Sequence, residues 1–271
     1  MTVAEQRAAE VRARRGPRQP REQVEPPPWE REVWVDEGPL RNAAIAATER
    51  GATAAVERRP RGDLDPTVVA EVARDAGSSR AARYQERLLS AAEALDRGRF
   101  DDARRMVQPV LRDLPNIALA HEIAGLCWYG VGQWRKAAAE LEMARTLSQG
   151  VRLHAVLADC YRAMRRFETV AQLWSELRAA SPAPGLMAEG RIVAAGALSD
   201  QGDLRGAIAL FERQREMPRT VREHHLRQWY ALADLLDRSG DVVEARRFFS
   251  RVAGLDPDFV DVRERLAALG R

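Results

Sequence analysis

Apolar positions between residues 84 and 257 recur at helical spacing, and turn residues break the runs at regular intervals. The breaks fall at Gly98, Gly132, Gly202 and Gly240, with a degenerate copy at Arg165. A small or short side chain follows each break: Ala103, Ala137, Ala207, Ala245 and, after Arg165, Val170. Successive breaks are 34, 33, 37 and 38 residues apart. A period near 34 residues is too long for one helix and suits a helix–turn–helix hairpin stacked on its neighbours. An all-α chain follows, with first helices ending near the turn residue, where a missing Cβ permits a left-handed cap. Asp203 and Asp241, directly after their glycines, are placed to cap the next helix. The two longer intervals are expected to be loop insertions at Ser181–Leu186 and Arg219–His225 that leave both flanking helices intact.

Upstream, Asp65-Pro66 predicts a helix start, with Asp as cap and Pro in the first turn, and Gly77-Ser78-Ser79 interrupts that helix. Pro39 opens another expected helix, Leu40 to about Glu57, which Arg58-Arg59-Pro60-Arg61-Gly62 breaks. The expected domains are a disordered arginine-rich arm at 1–27 and a linker with one or two helices at 28–83. Five repeats follow at 84–117, 118–150, 151–187, 188–225 and 226–257, then a capping helix at 258–271 whose amphipathic segment is Phe259–Leu269.

Composition narrows the class. Hydrophobic residues make up 45% of 271, enough for a packed core, while the 6% aromatic share and abundant alanine fit thin, closely spaced helices. Net charge is only +3, and Lys136 is the sole lysine, so 42 of 43 basic residues are arginine, which a GC-rich coding bias explains. Two cysteines, Cys127 and Cys160, are too few for a disulfide-stapled secreted domain and are expected to be reduced packing thiols. No apolar run approaches the ~18 residues of a membrane span, and the arginines at the start of the chain precede no hydrophobic segment, so a cytoplasmic location is expected.

Several groupings look like chemistry and are better read as structure. His121-x5-Cys127 and His154-x5-Cys160 repeat, but six residues along a helix turn side chains about 240° apart, so packing is expected and zinc is not. Gly130-Val131-Gly132 lacks the Gly-Lys-Ser/Thr ending of a phosphate loop and reads as a hairpin turn. His224-His225 falls in the second insertion. No spacing places a nucleophile beside a base. No catalytic residue, cofactor, metal or small-molecule substrate is expected.

The repeat resembles the tetratricopeptide repeat, of the form W-x2-L-G-x2-Y, A-x3-F, P. The fifth unit gives Trp229-x2-Leu232-Ala233-x2-Leu236, Ala245-x3-Phe249 and Pro257; the second gives Ala124-Gly125-x2-Trp128, Ala137-x3-Leu141 and Ala144, with Gln149 in place of the closing proline. The first keeps Gly98, Phe100, Ala103 and Pro115, the third Tyr161, Phe167 and Pro182, and the fourth Ala207-x3-Phe211. The arrangement also resembles that of a group of actinobacterial repeat proteins, a likeness that implies no activity.

The resemblance implies a right-handed superhelical solenoid of about five hairpins whose first helices line a concave groove. Carried over position by position, the groove holds Glu122, Leu126 and Tyr129, then Arg152, Asp159 and Arg162, then Glu189, then Arg227, Tyr230, Asp234 and Asp237. This mixture of charges and tyrosines suits an extended peptide or a protein surface. Leu88, Ala92, Ile123, Arg152 and Val156 stand where one family member uses polar side chains to grip a C-terminal carboxylate, and only Arg152 could serve, so that mode is not expected.

The function expected is a non-catalytic scaffold or adaptor for an unidentified protein or peptide. The alternative is an RNA- or ribosome-associated factor held by Arg12, Arg14, Arg15, Arg18 and Arg21 of the arm. Trp29 and Trp34 are expected to dock on the solenoid or on a partner. One prediction needs only the pattern. Ala137→Leu overpacks a helix crossing and lowers stability by about 1–3 kcal/mol, read as a fall in the denaturant midpoint.

Overall fold

The computed structural model describes residues 63–270, all within one compact unit. The arm, the Trp29–Val35 segment and the expected helix at Leu40–Glu57 lie outside the described residues. Those residues form twelve α-helices and one short 3-10 turn, with no strand among them. Helix α1, Pro66–Ala76, starts as its sequence dictates: Pro66 occupies the first turn, and Asp65 accepts from the Thr67 backbone N–H at 2.8 Å. Gly77, at φ +75°, ends α1 and opens α2, Ser78–Asp96, so the serines expected in the break are already helical.

The chain then alternates first and second helices. The second helix after α2 is α3, Phe100–Asp113, and the next pair is α4, Ala118–Gly130, with α5, Trp134–Ser148. The third pair is α6, His154–Ala163, with α7, Phe167–Ala180. In the fourth pair α8, Pro184–Asp200, is followed by α9, Leu204–Ala209. Finally α10, Glu223–Arg238, pairs with α11, Val242–Leu255, and α12, Val262–Leu269, packs on the end of the stack.

One turn joins the helices of every pair. The residue at the break is left-handed in all five: Gly98 at φ +68°, Gly132 at +72°, Arg165 at +57°, Gly202 at +86° and Gly240 at +85°. The next N–H reaches back to a carbonyl of the last helical turn, as in Arg99 to Ala94 (2.8 Å), Gln133 to Trp128 (2.9 Å) and Arg166 to Tyr161 (2.8 Å). Asp203 to Leu198 and Asp241 to Leu236 repeat it at 2.9 Å. This is the Schellman closure, which satisfies carbonyls that a helix end leaves unpaired. Asp203 and Asp241 add side-chain caps, accepting from the Gly206 and Glu244 N–H groups.

The small position behaves as the spacing requires. Ala103, Ala137, Ala207 and Ala245 are fully buried and Val170 nearly so. Four residues on, Val107, Leu141, Phe211 and Phe249 are also fully buried and fill the space between pairs. Close approach recurs from the other side: a Cβ on Gly125 would lie 2.6 Å from the Leu141 side chain, and one on Gly190 would lie 2.2 Å from Leu177. At the front of the stack α1 buries Val72 and Ala76 against Tyr84 and Leu88 of α2, so the stack begins before the first repeat.

The fourth pair departs from expectation. Its second helix stops after six residues and continues through a 3-10 turn, Glu212–Gln214, into irregular backbone up to Arg222. The insertion therefore does disturb its helix. Pro218 has no N–H to continue a helix and biases Met217 away from helical angles. The following pair supplies the missing hydrogen bonds: Trp229 Nε1–H donates to the Gln214 carbonyl and Arg251 Nη1 to that of Arg215, each at 2.7 Å.

Arg165 gives the turn a direct test. A non-glycine residue in the left-handed region costs roughly 1–2 kcal/mol, and glycine returns part of that gain by loosening the unfolded chain. Arg165→Gly is expected to raise stability by about 0.5–1 kcal/mol, whereas Gly202→Ala, with open space around the added Cβ, lowers it by about 1–2 kcal/mol through backbone strain alone. Paired thermal or urea melts decide this; equal midpoints for wild type and both variants would remove the conformational argument.

Candidate functional site

The first helices carry the candidate groove. Their burial is deep: every residue from His154 to Arg162 in α6 and from Leu226 to Leu236 in α10 is buried. Of the eleven groove residues, Glu122, Tyr129, Asp159, Arg162, Arg227, Tyr230 and Asp234 are buried, Leu126, Glu189 and Asp237 are half-buried, and Arg152 is exposed. A buried charge needs a partner, and these have partners one repeat away.

Arg152 presents both terminal nitrogens to both oxygens of Glu122, and the Tyr129 hydroxyl donates to Asp159. Arg162 grips Asp200 with Nε at 2.5 Å and Nη2 at 3.0 Å, and its Nη1 lies 3.8 Å from Asp159. That guanidinium fits only because Gly196 faces it; a Cβ there would come within 2.7 Å. Arg227 donates to Glu189 at 2.7 Å, and beside it Arg191 donates to Gln228 at 2.5 Å. At the end of the stack the Tyr230 hydroxyl donates to Asp261, and Arg265 of α12 bridges Asp234 at 2.6 Å and Asp237 at 3.2 Å. The result is a line of charge-assisted contacts tying each first helix from α4 onward to the next.

Asp200, Gly196, Asp261 and Arg265 were absent from the groove set. A signal for them exists in the sequence: the paired residues stand 30 or 31 positions apart in the second and fifth units and 38 apart in the third and fourth. Complementary residues at about one repeat's separation mark contacts between equivalent helices.

The carboxylates on this line do not titrate alike. Burial raises Glu189 from the ordinary 4.5 to about 7, opposed by Arg227 and reinforced by the charges of Glu223 and Asp159. Burial also raises Asp234, opposed by Arg265 and Arg238. In contrast, Asp113, at the surface, is held at about 2 by hydrogen bonds from Arg112 and Tyr84.

The two repeated histidines have separate environments. His121 lies between Glu140, 2.7 Å from Nδ1, and the Pro115 carbonyl, 2.8 Å from Nε2. Both neighbours accept, so both ring nitrogens donate when both bonds form, and the bond to Glu140 raises its pKa. His154 pairs through Nε2 with Glu176 at 2.9 Å. Both cysteines are buried and free, with burial pushing the Cys127 thiol up to about 12. Among the described residues no group of three or more His, Cys, Asp or Glu is arranged to hold a metal, and no helix is long and apolar enough to cross a membrane. Leu88, Ile123 and Val156, at the carboxylate-gripping positions, are buried apolar residues.

Glu189 yields a pH prediction. Its folded pKa lies above the unfolded value, so between about pH 4.5 and 7 the folded state holds a proton that the unfolded chain has released. Stability from this group therefore falls as pH rises through that window and is level above it. Glu189→Gln removes the titration. The variant's stability relative to wild type should climb from pH 4.5 to 7 by on the order of 1–3 kcal/mol. A difference that is flat with pH in urea titrations would refute it.

Residues 88–152 and residues 226–269 each match a family model of the tetratricopeptide repeat. The solved structure of the P58(IPK) TPR domain is similar at 18% identity, over 85% of this chain and 67% of that one, with a TM-score of 0.36. No curated protein matches the chain. With two segments matching the repeat and five pairs of helices closed by one turn geometry, the chain carries tetratricopeptide repeats.

Proposed function

We propose that this protein is a non-catalytic scaffold or adaptor that holds a protein or peptide along the line of its first helices, from Glu122 in α4 to Asp234 in α10. The observation that carries this reading is the inter-repeat pairing itself. Arg152–Glu122, Arg162–Asp200 and Arg227–Glu189 fix successive first helices in one register. A face held that rigidly is ordered before a ligand arrives, which lowers the entropic cost of binding. Because the charges already satisfy one another, recognition rests on the accessible edge of the line: half-buried Leu126, the outer part of Arg152 and the hydrogen-bonding faces of the paired carboxylates. Arg12 to Arg21 of the arm lie outside the described residues, and no observation on the described residues favours the RNA-associated reading over this one.

Affinity capture from native lysate tests the proposal, with the wild-type chain run beside Leu126→Gln and Tyr129→Phe. Both substitutions keep the side-chain volume close to the original, and circular dichroism verifies folding. The expected outcome is a retained protein whose recovery drops with Leu126→Gln and survives nuclease treatment. Equal recovery of every retained protein by wild type and variants would reject the groove. Substrate turnover by the pure protein, lost on one side-chain change, would reject the non-catalytic assignment.

A further inference from the structure

The edge formed by the hairpin turns differs in character from the inner face. Between α4 and α5 the turn exposes Val131, which is 42% accessible, and just beyond it stand Arg135 and Lys136, both exposed. On the neighbouring turn, between α6 and α7, Arg165 and Arg166 are exposed. These two turns belong to one hydrophobic cluster; of its partly buried side chains Leu126, Trp128, Trp134, Met164 and Phe167, the last four stand at or beside the turns. The edge is therefore apolar at its floor and cationic above it.

None of Arg135, Lys136, Arg165 and Arg166 has an ion-pair partner among the described residues. The carboxylate on these turns is Glu168, against those four cations, since Asp101 on the preceding turn is already paired with Arg104 at 2.5 Å. Three of the four, Lys136, Arg165 and Arg166, are held over rings. The Arg104 guanidinium lies 3.8 Å and Lys136 Nζ 4.3 Å from the Trp128 centroid, so this indole sits between two cations. Arg165 lies 5.4 Å from Phe167 and Arg166 5.1 Å from Tyr161. Stacking of this kind fixes the cations in place without neutralising them.

We infer that the turn edge of the second and third repeats is an interaction surface for an acidic peptide segment that also carries apolar side chains. Charge complementarity sets the sign of the partner. The choice of a peptide over a nucleic acid follows from Trp128, whose ring is already faced by two of the protein's own cations, and from Val131, which offers an apolar contact that phosphate chains do not use. This surface lies apart from the groove and stands whether or not the groove binds.

The full-length protein, immobilised, is used to select from a display library of random peptides, and one selected peptide is synthesised for titration. The expected selection is enriched in Asp and Glu together with Leu, Ile or Phe. Its binding should weaken with added salt, and about tenfold or more in Lys136→Glu/Arg166→Glu, with a smaller loss in the neutral pair Lys136→Gln/Arg166→Gln. Val131→Asp should also lose binding, whereas Leu126→Gln, on the inner face, should not. That last comparison separates failure of this surface from failure of the groove. The inference is overturned if the selection returns no peptide or peptides no more acidic than the library. It is equally overturned if both folded charge variants bind as wild type does, or if a single-stranded oligonucleotide binds this edge and no peptide does.

Discussion

The structure depends on a turn that only a few backbones tolerate. Each pair of helices closes through a residue at positive φ followed by the same back-reaching hydrogen bond. The turn fixes where the second helix starts, and therefore which of its residues meets the first helix five positions on. Only a short side chain fits there, which is why Ala103, Ala137, Ala207 and Ala245 are fully buried. Val170 follows the one turn that lacks glycine. The third repeat thus combines the most strained turn with the bulkiest crossing residue, yet keeps the geometry, because the backbone closure from Arg166 to Tyr161 is as short as any in the series.

Stacking these pairs brings equivalent helices side by side, and polar residues on them must either face water or find one another. They find one another. Glu122 with Arg152, Arg162 with Asp200 and Arg227 with Glu189 are contacts between repeats. Buried pairs of this kind contribute little net stability, since desolvation offsets much of the attraction. Their effect is on alignment. A slip of one repeat against the next would leave Arg162 facing something other than Asp200, with Gly196 no longer beneath it, and would strand a charge at a cost of about 3–5 kcal/mol.

Much of this was legible in the sequence. The turn glycines, the degenerate Arg165 copy, the aspartate caps and the Asp65-Pro66 start are local features, decided by backbone angles and by hydrogen bonds a few residues long. Burial of the groove was harder to read. Position on a repeat marks a residue as lying on the inner side, but its exposure depends on how closely the next repeat approaches, which side-chain volumes on both repeats decide together. The separations of 30, 31 and 38 residues between complementary partners carry that information, though only once stacking is assumed. The unwound stretch after α9 was hidden for a related reason. Pro218 marks an end to the helix, but the backbone at Gln214 and Arg215 is held by Trp229 and Arg251 of the following repeat, partners that no local pattern reveals.

The two faces of the stack follow from one composition. A chain with 42 arginines and 40 acidic residues can neutralise charge locally or leave it displayed, and burial decides which. On the inner side, where Asp159, Arg162 and Asp234 are almost inaccessible, an unpaired charge would be prohibitive, so each has an opposite within reach. On the turns, water carries that cost, and nothing requires Arg135 or Lys136 to be paired. What distinguishes the second and third turns from an ordinary solvated surface is order. Trp128, gripped by Arg104 and Lys136, holds long, flexible cations at fixed positions above a partly exposed apolar floor. A surface charge that has already lost much of its rotamer freedom loses less on meeting a partner, and this is the property that separates a binding patch from a merely charged one.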